Sequence, residues 1–130
     1  KGYRSMWLFC KSGFFSAVQH ANKPDKILLR ARFKGDLENL CDIHLIECQH
    51  TIRHTPSCDY AWRMELPKAL WAKIVLQEAQ IIDYQNFKNE IHKYGNRNRD
   101  NAYNQVWSAL AMAQDVEERR DDHDAPRLKT

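Results

Sequence analysis

The sequence predicts an α+β fold, and three observations predict it. Residues 27–33 and 60–66 alternate apolar and polar side chains, the period of a half-buried strand. After Pro67 the apolar residues recur every three or four positions, the period of a helix face. The resulting order is β-β, β-α-β, β-α, then α-α. A run of β-α-β-β-α is the split β-α-β, or ferredoxin-like, arrangement, an antiparallel sheet with two helices on one face. The expected domain is that core with an N-terminal hairpin and two extra C-terminal helices.

The elements follow in chain order. Residues 6–20 read as two short strands around Lys11-Ser12-Gly13, rich in aromatic and β-branched side chains. Asn22, Pro24 and Asp25 supply turn chemistry. In the next strand Ile27, Leu29, Ala31 and Phe33 share one face, and Leu28, Arg30 and Arg32 share the other. Asp36 is the expected N-cap of a short helix that turns Leu37, Leu40 and Cys41 inward. Residues 43–49 form a further strand candidate, and 51–57 a polar connection. In residues 60–66, Tyr60, Trp62, Met64 and Leu66 face away from Ala61, Arg63 and Glu65. Pro67 suits a first helical turn, and Leu70, Trp71, Ile74, Val75, Ile81 and Ile82 make a wide apolar stripe. Asp83 is the expected cap of a helix with Tyr84, Phe87, Ile91 and Tyr94 inward, stopped by Gly95. Asp100 is the expected cap of the last helix, with Tyr103, Val106, Trp107 and Leu110 on one side. Past Gln114 that helix is charged all round and should continue as a solvated helix or an arm.

Composition sets the broad class. With 43% hydrophobic and 28% charged residues the chain can build a core and is no disordered polymer. Net charge is +3, too mild to indicate a nucleic-acid partner alone. It is uneven: residues 1–114 carry +5 and residues 115–130 carry −2. A membrane span, a repeat array, a secretory signal and a disulfide mini-protein are not expected. Residues 1–5 are read as lying upstream of a start at Met6, 6–114 as one domain, and 115–130 as a charged extension. Cys10, Cys41, Cys48 and Cys58 include no CxxC pair, so reduced thiols in a cytoplasmic protein are expected.

Several segments carry a family likeness. They are Met6-Trp7 with Gly13-Phe14-Phe15-Ser16, Leu29-Arg30-Ala31-Arg32, and Asp59-Tyr60 with Arg63. Ile82-Asp83-Tyr84, Asn86-Phe87-Lys88 and Val106-Trp107-Ser108 complete the set. Together they resemble a group of small uncharacterised bacterial proteins that open with a Met-Trp hairpin. The likeness spans about residues 6–110. It implies a bacterial origin and a type of protein that often travels on mobile elements. It implies no activity.

Three constellations could carry chemistry. His44, Cys48, His50, His54 and Cys58 lie close in sequence, and Cys41 is near. If residues 43–50 were extended, His44, Cys48 and His50 would point the same way toward a zinc ion. The spacing matches no zinc finger, so a core role for the cysteines and a polar loop for the histidines is the plainer reading, with no cofactor. The second constellation is basic: Arg30, Arg32 and Arg63 on neighbouring strands, with Lys11 able to join. Such a face can hold phosphates and stacked bases, although aromatic-rich RNA-recognition strands are not evident. The plainer account pairs these arginines with Asp59, Glu65, Asp83 and Asp100, locking the sheet to its helices. The third is a pocket for a small anionic ligand built from Arg30, Arg32, Tyr60, Arg63, Asp83, Tyr84, Lys88 and Tyr103.

Catalysis has little support. Cys10 with His20, or Cys48 with His50, would be the pairs to test, and no nucleophile elbow, phosphate loop or HExxH occurs. The expectation is a non-catalytic interaction or small-ligand-binding module. A phosphate-contacting nucleic-acid binder and a small hydrolase are the alternatives. The many aromatic residues, and a tail that two copies could exchange, suggest a homo-oligomer.

Overall fold

A computed structural model describes residues 5–93 and 96–124. Residues 1–4, the expected helix stop at Tyr94 and Gly95, and the end of the charged extension at 125–130 lie outside the described residues. The chain divides into two compact units, Lys1–Phe87 and Lys88–Thr130.

The first unit is an antiparallel sheet with two helices. Strands β1 (Met6–Cys10) and β2 (Gly13–Gln19) form the expected hairpin. Gly13 sits at φ +151°, and a Cβ there would collide with the Asp36 side chain. Only glycine lets the turn close against that helix. Strand β3 (Lys26–Ala31) pairs with β2 on one side and with β5 (Trp62–Pro67) on the other. Strand β4 (Arg53–His54) pairs with the outer edge of β5, giving the order β1-β2-β3-β5-β4. Helix α1 (Lys34–Ile43) lies between β3 and β4 in the chain, while β5 lies between them in the sheet. Helix α2 (Lys68–Gln80) follows β5 at once, with Pro67 as its N-cap residue.

Strand alternation sorts the side chains onto two faces. Phe15, Ala17, Ile27, Leu29, Ala31, Met64 and Leu66 turn to the covered face. They meet Leu37, Leu40 and Cys41 of α1 and Trp71 and Ile74 of α2. Phe15, Leu29, Leu37 and Leu40 have no exposed surface, so this face is the hydrophobic core.

Local expectations are corrected at several places. Asp36 does not cap α1; Phe33 holds that position without a side-chain bond, and Asp36 is fully buried. Its Oδ2 accepts a hydrogen bond from the Phe14 amide at 3.2 Å, so it ties the hairpin to the helix. Residues 43–49 are no strand. Helix α1 runs to Ile43, Leu45 turns the chain at φ +54°, and a 3-10 turn forms at Gln49–Thr51. Cys41 and Cys48 are joined in a disulfide across this turn, with Cα atoms 5.7 Å apart, so these two thiols are not reduced. The covalent tie explains how apolar residues of that segment stay packed on the core without a strand.

Helix α3 (Phe87–His92) and helix α4 (Arg97–Asp124) complete the chain. Asp100 does not cap α4. Asn96 does, its Oδ1 accepting from the Arg99 amide at 3.0 Å, while Asp100 reaches His92 Nδ1 at 2.8 Å. Within the second unit Ile91 and Tyr103 are buried. Helix α4 runs unbroken through Gln114 to Asp124, the helical form of the extension. Among the described residues no helix is long and apolar enough to cross a membrane.

Candidate functional site

The other sheet face carries the chemistry. Register fixes its central row: Trp7 opposite Ser16, Ser16 opposite Arg30, Arg30 opposite Arg63, and Arg63 opposite Arg53. Each strand contributes one residue, and cross-strand partners share a face. The row spans about 19 Å, from four strand spacings of about 4.8 Å. A second, aromatic row lies beside it in the hairpin, where Phe9 stacks on Phe14 at 4.3 Å and Trp7 meets Phe14 edge-on at 5.7 Å. Trp7 is 65% exposed.

Tyr60 is buried in this face. The guanidinium groups of Arg30 and Arg32 lie over its ring at 4.7 and 4.3 Å. Arg30 Nη2 donates to Ser16 Oγ at 2.7 Å. Arg32 Nη1 donates to the Asp59 carbonyl at 2.8 Å, and Arg63 Nε to the Tyr60 carbonyl at 3.2 Å. These are neutral acceptors. The expected arginine–carboxylate lock is therefore not what holds the arginines. Glu65 pairs with Lys23 at 3.0 Å and His20 at 3.1 Å. Asp83 pairs with Lys11 at 3.8 Å, and Asp100 with His92. Among the described residues Arg30, Arg53 and Arg63 stand in a row with no carboxylate within ion-pair distance. Arg30 Nε is buried without a hydrogen-bond partner. Like charges directly opposite one another destabilise a sheet, and an anion lying across them removes that cost.

A shallow cleft of about 190 Å³ opens beside the row, lined by Leu28, Arg53, Thr55, Arg63, Met64 and Glu65. Glu65 is its carboxylate. The hydrogen bond from Lys23, then that from His20, holds its carboxyl down at about 2.

Of the expected pocket residues, Arg30, Arg32, Tyr60 and Arg63 come together. Asp83 does not join them; its side chain is 76% exposed beside Lys11. Lys11 is likewise spent on Asp83 rather than on the arginines. Tyr84 packs at 6.3 Å from Phe87. Lys88 and Tyr103 belong to the second unit, where Lys88 lies 4.8 Å over Trp107 and Tyr103 lines a small cavity with Ile91. Sequence reasoning missed Arg53, Ser16, Trp7, Phe9 and Phe14. The two-residue hairpin loop fixes the register of the last four, so that signal was available. Arg53 had none, because its strand is only two residues long.

The histidine–cysteine group is not assembled. Cys48 is bonded to Cys41. His44 is buried, with Nδ1 2.9 Å from Gln77 Oε1 and Nε2 2.6 Å from Glu78 Oε2. His54 stacks on Trp62 at 4.0 Å, while His50 and Cys58 are exposed. Among the described residues no three His, Cys, Asp or Glu side chains are placed to hold a metal ion. The same geometry removes the Cys–His pairs. His20 is engaged with Glu65, and Cys48 is no free thiol. Burial, then the charge of Glu78, pushes the Cys10 thiol up to about 12, so it stays protonated and unreactive near neutral pH. Glu78 also accepts from Ser12 Oγ at 2.5 Å. It thereby ties the hairpin turn and the end of α1 to α2, a buried polar joint on the covered side.

No family model, no curated protein and no solved structure matches this chain.

Proposed function

We propose that the sheet face away from α1 and α2 binds single-stranded nucleic acid, with phosphates along the arginine row and bases on the aromatic side chains of the hairpin. One observation carries this reading: Arg30, Arg63 and Arg53 are lined up across three strands without a carboxylate partner among the described residues. Trp7, Phe9 and Phe14 beside the row supply the stacking surface that sequence-tolerant single-strand binders use. The fold reading agrees. With α1 joining β3 to β4 around β5, and α2 following β5, we take the sheet as ferredoxin-like, with β2 in the remaining place beside β3. Both helices then lie behind the sheet, on the side away from the arginine row. RNA-recognition sheets use the same division of faces.

Cleft size favours this over a small anionic ligand. Ligand pockets usually span about 300–1,000 Å³. The space at Arg53 and Arg63 is about 190 Å³, enough for one phosphate group rather than a whole metabolite. The bacterial interaction-module reading then becomes a nucleic-acid-contacting one, without catalysis.

The test is fluorescence anisotropy with fluorescein-labelled dT12 and U12 at several salt concentrations. Three phosphates neutralised on a single strand give a slope of log K against log salt of about −2. Binding that shows no salt dependence, or no binding at about 50 μM protein in low salt, overturns the proposal.

A further inference from the structure

The Cys41–Cys48 disulfide lies between the core and the third arginine of the row. Cys41 sits on α1, 1% exposed and packed in the core, so its sulfur is a fixed point. Cys48 precedes the 3-10 turn Gln49–Thr51 as its N-cap residue. Its carbonyl accepts from the Thr51 amide at 3.0 Å and from Thr51 Oγ1 at 2.7 Å. The Ile52 amide then donates to the Gln49 carbonyl at 3.2 Å, and Arg53 begins β4. Sulfur bridge, turn and strand thus form one short relay from the core to Arg53.

The other ties on Arg53 are few. Strand β4 has two residues, Arg53 and His54, paired with Arg63 and Trp62. His54 stacks on Trp62, and the Thr55 amide donates to the Ala61 carbonyl at 2.6 Å. Arg53 stands opposite Arg63, and like charges facing each other across a ladder oppose the pairing. Ahead of the strand the hydrogen bonds are local. The Ile46 amide donates to the Cys41 carbonyl at 3.0 Å, the Cys48 amide to the Ile46 carbonyl at 3.1 Å, and Gln49 Nε2 to Asp42 Oδ1 at 2.7 Å. Ile46 and Ile52 are only partly buried against the core. Without the bridge, the chain leading to Arg53 runs about ten residues from the end of α1 at Ile43, instead of about five from Cys48. The entropy opposing a docked strand rises with that length.

We infer that this disulfide is a redox latch: oxidised, it holds Arg53 in line with Arg63 and Arg30, and reduced, it lets β4 leave β5. The latch rests on the geometry around β4; its effect on nucleic acid rests on the sheet-face proposal. The reductant is a dithiol. One of its thiolates attacks Cys48, the more exposed of the two at 7%, and releases Cys41 as a thiolate that takes up a proton. The second sulfur of the dithiol then displaces Cys48, which is protonated in turn, and the reductant leaves as its own disulfide. Two electrons and two protons pass to the protein. Leu45, in the loop between the two cysteines, is 92% exposed, so the attack comes from the surface.

Amide hydrogen exchange and dT12 anisotropy on the full chain, with and without dithiothreitol, test the latch. Cys41→Ser with Cys48→Ser serves as the permanently open form. The Thr55 amide should exchange at least about tenfold faster after reduction and in the double variant, while buried Leu29 stays protected. Affinity for dT12 should fall about eightfold at about 50 mM salt, the worth of one phosphate contact, and the salt slope should shrink from about −2 to about −1.4. Arg53→Gln should bind as weakly as the reduced parent and should not respond to dithiothreitol. A bridge that dithiothreitol leaves intact in folded protein, or equal Thr55 exchange in both states, overturns the latch. Equal dT12 affinity in both states overturns its control of binding. If Thr55 responds and neither state binds dT12, the sheet-face proposal fails and the latch stands.

Discussion

The two faces of the sheet come from the same strands, taken at alternate residues, and they solve opposite problems. Leu29 turns into a core with no solvent contact, while Arg30, the next residue, lies among arginines that have neutral acceptors only. On the covered face even the charged groups are joined: Asp36 holds the Phe14 amide, and Glu78 holds Ser12 and His44. On the arginine face the row Arg30, Arg63, Arg53 is left without a countercharge among the described residues. A fold uses its charges for stability where it buries them. Where arginines stand aligned with neutral acceptors only, that ion-pair contribution is missing, and the proposed phosphates would supply the countercharge.

The comparison breaks most sharply at Phe15, which is fully buried against Trp71 at 6.4 Å. Phe15→Ala should lose about 3–5 kcal/mol in urea unfolding, through lost transfer energy and a residual cavity. Oligonucleotide affinity measured well below the unfolding midpoint should not change. A matching loss of affinity would mean that the two faces are not separable.

The disulfide comes next. Replacing Cys41 and Cys48 by serine opens a short loop and should cost about 2 kcal/mol. Thiol titration checks the pairing directly. In native protein only exposed Cys58 should react quickly, because Cys10 is buried and its thiol is pushed up to about 12. Denaturation without reductant should reveal Cys10 and no further thiol.

On the arginine face the sign reverses. Arg53→Gln with Arg63→Gln removes two aligned positive charges, so stability should stay within about 0.5 kcal/mol of the parent. Affinity for dT12 should fall, and the salt slope should shrink from about −2 to about −0.7 as one phosphate contact remains. Unchanged affinity would leave the arginine row without a role in binding.

How far each face was legible follows from where its partners sit. Strand β3 was readable because its apolar and polar residues alternate within a few positions, and so were Arg30 and Arg32 on its other side. The arginines' surroundings were not. Asp59, Glu65, Asp83 and Asp100 are as plausible as partners in sequence as the acceptors that the fold provides. Asp36 reads as a helix cap and Glu78 carries no signal at all in the sequence, since their partners, Phe14 and Ser12, stand 22 and 66 residues away. Residues 43–49 imitate a strand because local alternation carries no information about a covalent tie to Cys41.

Glu65 sits at the boundary between the two solutions and gives the smallest effect. It shares the cleft with Arg53 and Arg63, yet its hydrogen bonds go to Lys23 and His20. Those bonds hold its carboxyl at about 2, below the ordinary 4.5. A carboxylate with a lowered folded value stabilises fully above the unfolded value and loses that contribution as pH falls through the folded one. Glu65→Gln should therefore melt slightly below the parent at pH 7. The gap should begin to close below about pH 4.5 and vanish near pH 2, as thermal scans across that range would show. The same substitution removes a negative charge from the cleft rim and should tighten dT12 binding at low salt. If it weakens binding instead, Glu65 contacts the ligand itself, and the division of charges between the two faces runs differently at this residue.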